Sequence, residues 1–110
     1  MHNIYVSGPM TGIPQKNFLA FYIAARDLRQ AGYGVINPWE LDTADKKDTW
    51  SECLRRDIRA LMDCTAIATL PGWQKSKGAK FEIYIAQQLK WPVHTVEYWR
   101  NYALCNTRST

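Results

Sequence analysis

The 110-residue sequence has no apolar run that approaches the ~20 residues needed to cross a bilayer. Its first residues, MHNIYVSGP, also lack the basic stretch and long apolar segment that make up a signal peptide. We therefore expect a cytoplasmic protein with no membrane partner.

Cysteine is scarce, and its spacing forms no recognisable pattern. Cys53, Cys64 and Cys105 lie far apart without a C-x-x-C pair, and only His2 and His94 could add imidazole ligands. A disulfide framework and a structural zinc site both require closely spaced or paired ligands. We expect three reduced, structural thiols and no metal site.

A concentrated charge of one sign is also missing. The net charge is +4, and the basic residues of RDLRQ, DKKD and CLRRDIR have acidic residues between them. Nucleic-acid-binding proteins usually show a sharper basic stripe. The pattern therefore favours a small anionic ligand or a solvated surface over a nucleic-acid partner.

The chain has no internal repeat, low-complexity tract or linker, so residues 1–110 are predicted to form a single domain. Short apolar runs alternate with amphipathic helical segments. Strands are predicted at 3–7, 34–37, 65–70 and 92–96. This alternation predicts an α/β three-layer sandwich with a short, mostly parallel, flavodoxin/Rossmann-like sheet of about four strands.

Four helices are predicted between and after these strands. The first spans 17–31 and ends at Gly32, and the second begins after a polar loop at Thr49, which with Glu52 forms a capping box. A third follows the loop PGWQKSKG, and EYWRNYAL is predicted to be a short helix. The residues predicted to face the sheet are Phe18, Phe21, Tyr22, Ala25 and Leu28; Trp50, Leu54, Ile58 and Leu61; and Ala79, Ile83, Ala86 and Leu89.

Open parallel sheets bind ligands beyond the carboxyl ends of their strands. In this chain that rim is formed by the loops SGPMTG, NPWE and PGWQKSKG, which are rich in Gly, Pro and Trp. SGPMTG matches neither a Rossmann nor a P-loop fingerprint. We interpret it as a sharp turn that brings backbone N–H groups close to a ligand.

Glu82 interrupts the apolar stripe of the third helix, three residues after Ala79 and four before Ala86. An ionised carboxylate that is buried without partners is strongly destabilising. One explanation is an edge position where Glu82 reaches water or a lysine of the QKSKGAK segment.

The other explanation is that Glu82 is held at the ligand rim. Glu82 lies in the first turns of its helix, where the helix dipole favours an anion. Tyr5 ends the first strand and Asp57 lies on the second helix, so both can reach the same cleft. Two carboxylates and a phenol are the groups that nucleophilic glycosyl chemistry requires.

Three motifs resemble the nucleoside 2-deoxyribosyltransferase-like superfamily, and in particular a small branch common in phage and bacterial genomes. They are IYVSGPMTG, the NP after the second strand, and the spaced pattern D…L…C…ATLPGW…S…GA…E…A. The resemblance covers residues 3–96, nearly the whole chain. It implies cleavage or transfer at the N-glycosidic bond of a nucleoside or nucleotide.

By this resemblance Glu82 is the nucleophile, which attacks C1′ and displaces the base to leave a covalent glycosyl-enzyme intermediate. Asp57 protonates the departing base, and Tyr5 holds the nucleophile in place. Water or a second base then completes hydrolysis or transfer. Because the carboxylate pair supplies the chemistry, we expect neither a metal nor a cofactor.

The residue six positions before the nucleophile separates two groups within the superfamily: nucleoside-specific members carry aspartate, and nucleotide-specific members carry serine. This chain has Ser76, flanked by Lys75 and Lys77. A hydroxyl, backbone N–H groups and ammonium charge would attract phosphate, which predicts a (deoxy)nucleoside 5′-monophosphate as substrate. The alternative is an ordinary polar loop in water.

Two positions depart from the superfamily pattern. Thr11 occupies the place of an arginine that contacts phosphate in nucleotide-cleaving relatives, and Thr65 occupies a place where relatives often have aspartate. The residues predicted to bind the substrate are Ser7, Gly8, Thr11, Asn37, Trp73, Ser76 and Gly78. Asn37 could equally serve the turn before Pro38.

Several aromatic residues have more than one interpretation. Trp39 and Trp73 lie in rim loops, where an indole either stacks on a base or packs beneath its loop. Trp50 is predicted to be core, and His94 to be a core histidine in a buried strand. Tyr98, Trp99 and Tyr102 predict an aromatic surface, and hence a homodimer or higher homo-oligomer.

Hydrolase and transferase remain open, as do ribose and deoxyribose. The competing hypothesis is a nucleotide-binding protein without turnover, which would sequester or sense its ligand. A third is the same glycosidic chemistry on a larger nucleotide such as NAD or a cyclic signal.

Overall fold

The computed structural model describes residues 2–41 and 49–108. Its four strands form one parallel sheet in the order β2-β1-β3-β4. They are β1 (Asn3–Ser7), β2 (Gly34–Ile36), β3 (Ala66–Thr69) and β4 (Val93–Thr95). The predicted three-layer α/β fold is confirmed, and the strand limits differ from the prediction by one residue at most at each end.

Four helices flank the sheet: α1 (Phe18–Gln30), α2 (Trp50–Leu61), α3 (Lys77–Gln88) and α4 (Val96–Arg108). Short 3-10 turns occupy Pro14–Asn17, Pro38–Leu41 and Trp73–Lys75. The last helix starts directly after β4 and is longer than predicted. The predicted polar loop at 42–48 lies outside the described residues.

Each face of the sheet carries its own hydrophobic cluster, because successive side chains of a strand point to opposite faces. Ile4 and Val6 of β1 belong to the cluster under α1 and α4, and Tyr5 belongs to the cluster under α3. The first cluster consists of Ile4, Val6, Phe21, Ala24, Leu28, Tyr33, Ala66, Ala68, Leu70, Trp99 and Ala103. The second consists of Tyr5, Leu61, Cys64, Ile67, Ile83 and Ala86.

Helix ends follow the predicted signals. The Thr49 hydroxyl accepts a hydrogen bond from the Glu52 N–H at 3.1 Å, which confirms the cap of α2. After α1, Gly32 has a φ of 102°, a left-handed conformation that glycine adopts readily. Within the described residues, no helix is long and apolar enough to cross a membrane.

The predicted buried stripes are wrong at four positions: Phe18, Tyr22, Trp50 and Leu89 are exposed. Phe18 and Trp50 are the first residues of α1 and α2, and Leu89 follows the last turn of α3. Helix ends extend beyond the short strands, so the sheet does not cover them. Tyr22 lies beside the stripe of α1 that is buried.

The aromatic residues of the C-terminal part also differ from the prediction. Trp99 is buried in the first cluster with 2% of its surface exposed, whereas Tyr98 and Tyr102 are exposed and stack on one another. His94 is only half-buried, because β4 is an edge strand, and its ring stacks on Tyr98. The predicted association into a homo-oligomer stays a prediction.

The three cysteines lie in different environments. Cys64 is buried, as expected of a structural thiol, and its Sγ lies 3.7 Å from the Ala60 carbonyl oxygen. Burial raises the pKa of its thiol to about 11. Cys53 is half-buried, and Cys105 is exposed.

Candidate functional site

A cleft of about 730 Å³ opens at the carboxyl edge of the sheet, on the side of α2 and α3. Its walls come from β1 and the loop after it, from the start of α2, and from the start of α3. The lining residues are Tyr5, Val6, Gly8, Met10, Thr11, Lys16, Phe21, Pro38, Trp50, Cys53, Leu54, Asp57, Lys75, Ser76, Lys77, Gly78, Ala79 and Glu82.

Glu82 lies in this cleft with 5% of its surface exposed. Both of its carboxylate oxygens accept a hydrogen bond from β1: the Tyr5 hydroxyl donates to Oε2 at 2.5 Å, and the Ser7 hydroxyl donates to Oε1 at 2.8 Å. Tyr5 and Ser7 are two residues apart on one strand, so their side chains point to the same face. The carboxylate is therefore fixed in position and orientation.

This environment changes the acidity of Glu82. Burial raises the pKa of the Glu82 carboxyl to about 7, although the hydrogen bonds from Tyr5 and Ser7 oppose the rise, and the nearby charge of Asp57 adds to it. The Glu82 carboxyl therefore loses its proton at a higher pH than an exposed glutamate does.

Burial and the neighbouring Glu82 charge also raise the pKa of Tyr5 well above its usual value. The phenol therefore keeps its proton and remains a hydrogen-bond donor throughout the neutral range.

Asp57 is the second carboxylate of the cleft. It lies on α2, two helical turns after Trp50, and it is half-buried. The structure thus brings Tyr5, Asp57 and Glu82 together, although they come from a strand and two different helices. These are the three residues for which the sequence predicts a catalytic role.

The start of α3 forms another wall. Ser76 caps this helix, since its hydroxyl oxygen accepts a hydrogen bond from the Ala79 N–H at 3.2 Å, and its O–H can still donate. Gly78 and Lys75 line the same wall, and the Lys77 ammonium lies 4.6 Å from the centre of the Trp50 ring. Hydroxyl, ammonium and helix N–H groups are all donors suited to an anion.

The loop after β1 forms the remaining wall, with Gly8 and Thr11 as predicted. A side chain at position 8 would place its Cβ 2.6 Å from the Cβ of Leu70, closer than atoms can approach. Gly8 therefore lets this loop lie directly against the end of β3.

Three predicted binding residues do not line the cleft. Ser7 is fully buried, and its hydroxyl holds Glu82. Asn37 is buried, and its side-chain oxygen accepts a hydrogen bond from the Trp39 N–H at 3.0 Å, which favours the turn role. Trp73 lines a separate cleft of about 480 Å³ between α1, the β3–α3 loop and α4.

The sequence interpretation missed two kinds of lining residue. The helical spacing of Trp50 predicts a core position, which is wrong, because 45% of its surface is exposed. Its position directly after the Thr49 cap was the available signal, because the N-terminal end of α2 lies at the ligand rim. No sequence pattern indicates that Lys16 lines the cleft, since its placement depends on the left-handed backbone angles of residues 15–17.

The described residues contain no group of three or more His, Cys, Asp and Glu side chains arranged to hold a metal ion. The cleft itself is lined by two carboxylates and three lysines, and the lysine ammonium groups can donate to the anionic part of a ligand.

Comparison with protein families identifies one match. A family model described as a domain of unknown function, DUF4406, matches residues 2–95, which include every residue that lines the cleft. The chain belongs to this family. Comparison with curated proteins finds no match.

Proposed function

We propose that this member of the DUF4406 family is a cytoplasmic enzyme that cleaves or transfers the N-glycosidic bond of a (deoxy)nucleoside 5′-monophosphate. In this proposal the chain is related to the nucleoside 2-deoxyribosyltransferase-like superfamily that its motifs resemble. The observation that carries the proposal is the Glu82 carboxylate, which is buried in a cleft, held by two hydroxyl groups, and accompanied there by Asp57.

A carboxylate that served only to stabilise the fold would be expected to pair with a cation or to reach water. Among the described residues, Glu82 instead accepts hydrogen bonds from the neutral hydroxyls of Tyr5 and Ser7. These hydrogen bonds orient the carboxylate while leaving its negative charge unneutralised. A buried group with a strongly shifted pKa in a cleft is a candidate for catalysis.

The proposed first step is a nucleophilic displacement at C1′ of the sugar. A Glu82 oxygen forms a bond to C1′ while the C1′–N bond breaks, and the bonding pair goes to the base nitrogen. The carboxylic acid of Asp57 gives its proton to the departing base. The products are free base, a glycosyl ester on Glu82, and the carboxylate of Asp57.

In the second step an acceptor attacks C1′ and releases Glu82 as a carboxylate. If the acceptor is water, Asp57 takes its proton and the product is the sugar 5-phosphate. If the acceptor is another base, a new nucleotide forms. Two successive inversions at C1′ retain the original configuration.

Tyr5 and Ser7 act on Glu82 rather than on the substrate. Their hydroxyls hold the carboxylate in one orientation, so little rotational freedom is lost when it attacks. They also favour the ionised form, which is the nucleophile.

The 5′-monophosphate is supported by the wall at the start of α3. Ser76 has a hydroxyl where a carboxylate would repel phosphate, and Lys75 and Lys77 add positive charge beside it. The N–H groups at the start of this 12-residue helix also favour an anion.

The test is the release of free base, measured by chromatography. The protein is incubated with ribonucleoside and deoxyribonucleoside 5′-monophosphates, with the matching nucleosides and with NAD. We expect release from at least one 5′-monophosphate and a loss of about 10³-fold or more in Glu82→Gln. Glu97→Gln, which changes an exposed carboxylate of α4, is the matched control and should retain full activity.

Two other outcomes would contradict part or all of the proposal. Release from nucleosides but not from nucleotides would contradict the role of the Ser76 wall while leaving that of Glu82. If the folded protein binds a nucleotide but releases no base from any compound, the non-catalytic binding protein becomes the better explanation.

A further inference from the structure

The loop between β1 and α1 reaches the cleft through a strained turn. Three consecutive residues other than glycine have left-handed backbone angles: Gln15 with φ 54°, Lys16 with φ 50° and Asn17 with φ 64°. Residues with side chains rarely adopt this conformation, and a run of three requires that the surroundings hold it in place. Lys16, the middle residue, lines the cleft.

Hydrogen bonds on both sides of Lys16 fix this turn. The Trp39 indole N–H donates to the Lys16 carbonyl oxygen at 3.2 Å, and the Lys16 N–H donates to the Ile13 carbonyl oxygen at 2.9 Å. The Asn17 side-chain amide donates to the Pro9 carbonyl oxygen at 3.0 Å. The Lys16 side chain therefore extends from a backbone that is held at defined positions.

Trp39 has a supporting role in this arrangement. Its ring packs edge-on against Phe18, with the ring centres 5.1 Å apart, and it contacts the cluster under α1 and α4. Trp39 does not line the cleft as the structure describes it, so its indole holds the turn instead of stacking on a base.

The distribution of charge in the cleft gives Lys16 a specific use. Lys75 and Lys77 enter from the start of α3, on one side of the sheet, whereas Lys16 enters from the turn that precedes α1, on the other. Lys77 is already engaged with the Trp50 ring. An anion at the rim would therefore meet lysines from two separate elements, an arrangement that suits the two negative charges of a phosphate dianion.

We propose that Lys16 is a specificity-determining residue that binds the 5′-phosphate from the side facing the start of α3. Its strained, hydrogen-bonded turn fixes the backbone from which the Lys16 side chain lines the cleft. The identity of the ligand rests on the proposed function, but the claim itself concerns binding of the phosphate and requires no bond cleavage.

The test is equilibrium binding by titration calorimetry in a Glu82→Gln background, which prevents turnover. The probes are the 5′-monophosphates of deoxyadenosine, deoxyguanosine, deoxycytidine and thymidine, each beside its nucleoside. We expect Lys16→Ala to weaken the monophosphate that binds best by about 10- to 100-fold, the usual range for a lost charged hydrogen bond. Affinity for the nucleoside should change by less than about twofold, within the error of such comparisons.

Two further variants separate charge from folding. Lys16→Arg keeps the cation and should retain most of the monophosphate affinity. Lys80→Ala removes an exposed lysine of α3 that does not line the described cleft, and it should change neither affinity. Thermal melting of each variant establishes that the protein still folds.

Equal weakening of monophosphate and nucleoside in Lys16→Ala, or no weakening of either, would overturn the proposal. So would the absence of monophosphate binding to the Glu82→Gln protein. Failure of the proposed function gives a different result: monophosphate affinity would depend on Lys16, yet the unmodified protein would release no base.

Discussion

The two faces of the sheet bury polar groups in different ways. Under α1 and α4, the Trp99 indole N–H donates to the Ile67 carbonyl oxygen at 2.9 Å, and the Tyr33 hydroxyl donates to the Trp99 carbonyl oxygen at 2.7 Å. Under α2 and α3, the Tyr5 hydroxyl donates to the carboxylate of Glu82. The first face pairs neutral groups with the backbone, whereas the second buries an ionisable side chain.

This difference separates the part of the molecule that holds the fold from the part that we propose reacts. A neutral hydrogen bond to a backbone carbonyl satisfies a group that must be buried in any case. A buried carboxylate is costly, and Glu82 opens onto a cleft. The free energy of unfolding should therefore depend most on the first face, and base release most on the second.

The largest effect on stability is expected from Trp99→Ala. The substitution leaves a large cavity in the cluster under α1 and α4 and removes a buried hydrogen bond, so the free energy of unfolding should fall by about 3–5 kcal/mol. Urea unfolding measures this change. Trp99→Phe, which keeps most of the ring, is the milder variant.

Base release by the folded fraction of either Trp99 variant should be close to that of the unmodified protein. A stable Trp99→Ala protein without activity would contradict the separation of the two faces.

The second effect is the pH dependence that Glu82 imposes on stability. Its pKa is about 7 in the folded protein, against an ordinary value of 4.5. Between these values the folded state holds a proton that the unfolded chain has released, so this group stabilises the fold at low pH and loses that contribution as pH rises towards 7. The loss amounts to about 3 kcal/mol.

Glu82→Gln removes this titration. The stability of the variant relative to the unmodified protein should therefore increase as pH rises from about 4.5 to 8. Over this range the unmodified protein loses the contribution of Glu82, whereas the variant has no such contribution to lose. Urea unfolding at several pH values measures the difference, with Glu97→Gln as control. A difference that stays constant with pH would show that Glu82 titrates normally.

The smallest effect is expected from removing one of two buried tyrosine hydroxyls, those of Tyr5 and Tyr33. Tyr5→Phe removes a donor to the Glu82 carboxylate, which should raise the pKa of Glu82 further and lower base release at pH 7 by about 10- to 100-fold. Part of the activity should return at higher pH, where Glu82 is ionised. The measurement is the pH profile of base release.

Tyr33→Phe is the matched control on the other face. It removes a hydrogen bond to the Trp99 carbonyl oxygen, so it should lower stability by about 1 kcal/mol and leave the pH profile unchanged. Identical profiles for the two phenylalanine variants would contradict a role for Tyr5 in positioning Glu82.

Local patterns predicted most of the fold. The strands were recognisable from short apolar runs, and the cap of α2 from Thr49 and Glu52, because these signals act over a few residues. Glu82 could be recognised as unusual because a carboxylate interrupted an apolar stripe. The contact between Ser7 and Glu82 was also accessible, since Ser7 lies on the same face of β1 as Tyr5.

The positions that could not be predicted depend on where elements end in space. Trp50 continues the stripe of α2, but the helix extends past the sheet at that point, so the ring lies on the cleft wall. Lys16 reaches the cleft through left-handed angles at Gln15 and Lys16, two residue types that have no intrinsic preference for them. Trp99 is covered because α4 packs against α1 and the sheet, a long-range contact that helical spacing alone does not reveal.

The most direct test of the account is whether Glu82 becomes covalently attached to the sugar. The protein is mixed with the 5′-monophosphate from which it releases base, quenched in acid during turnover, and digested for peptide mass spectrometry. We predict that the peptide containing Glu82 gains the mass of the sugar phosphate, and that Glu82→Gln gains none. Attachment to another residue, or base release that persists in Glu82→Gln, would contradict the account.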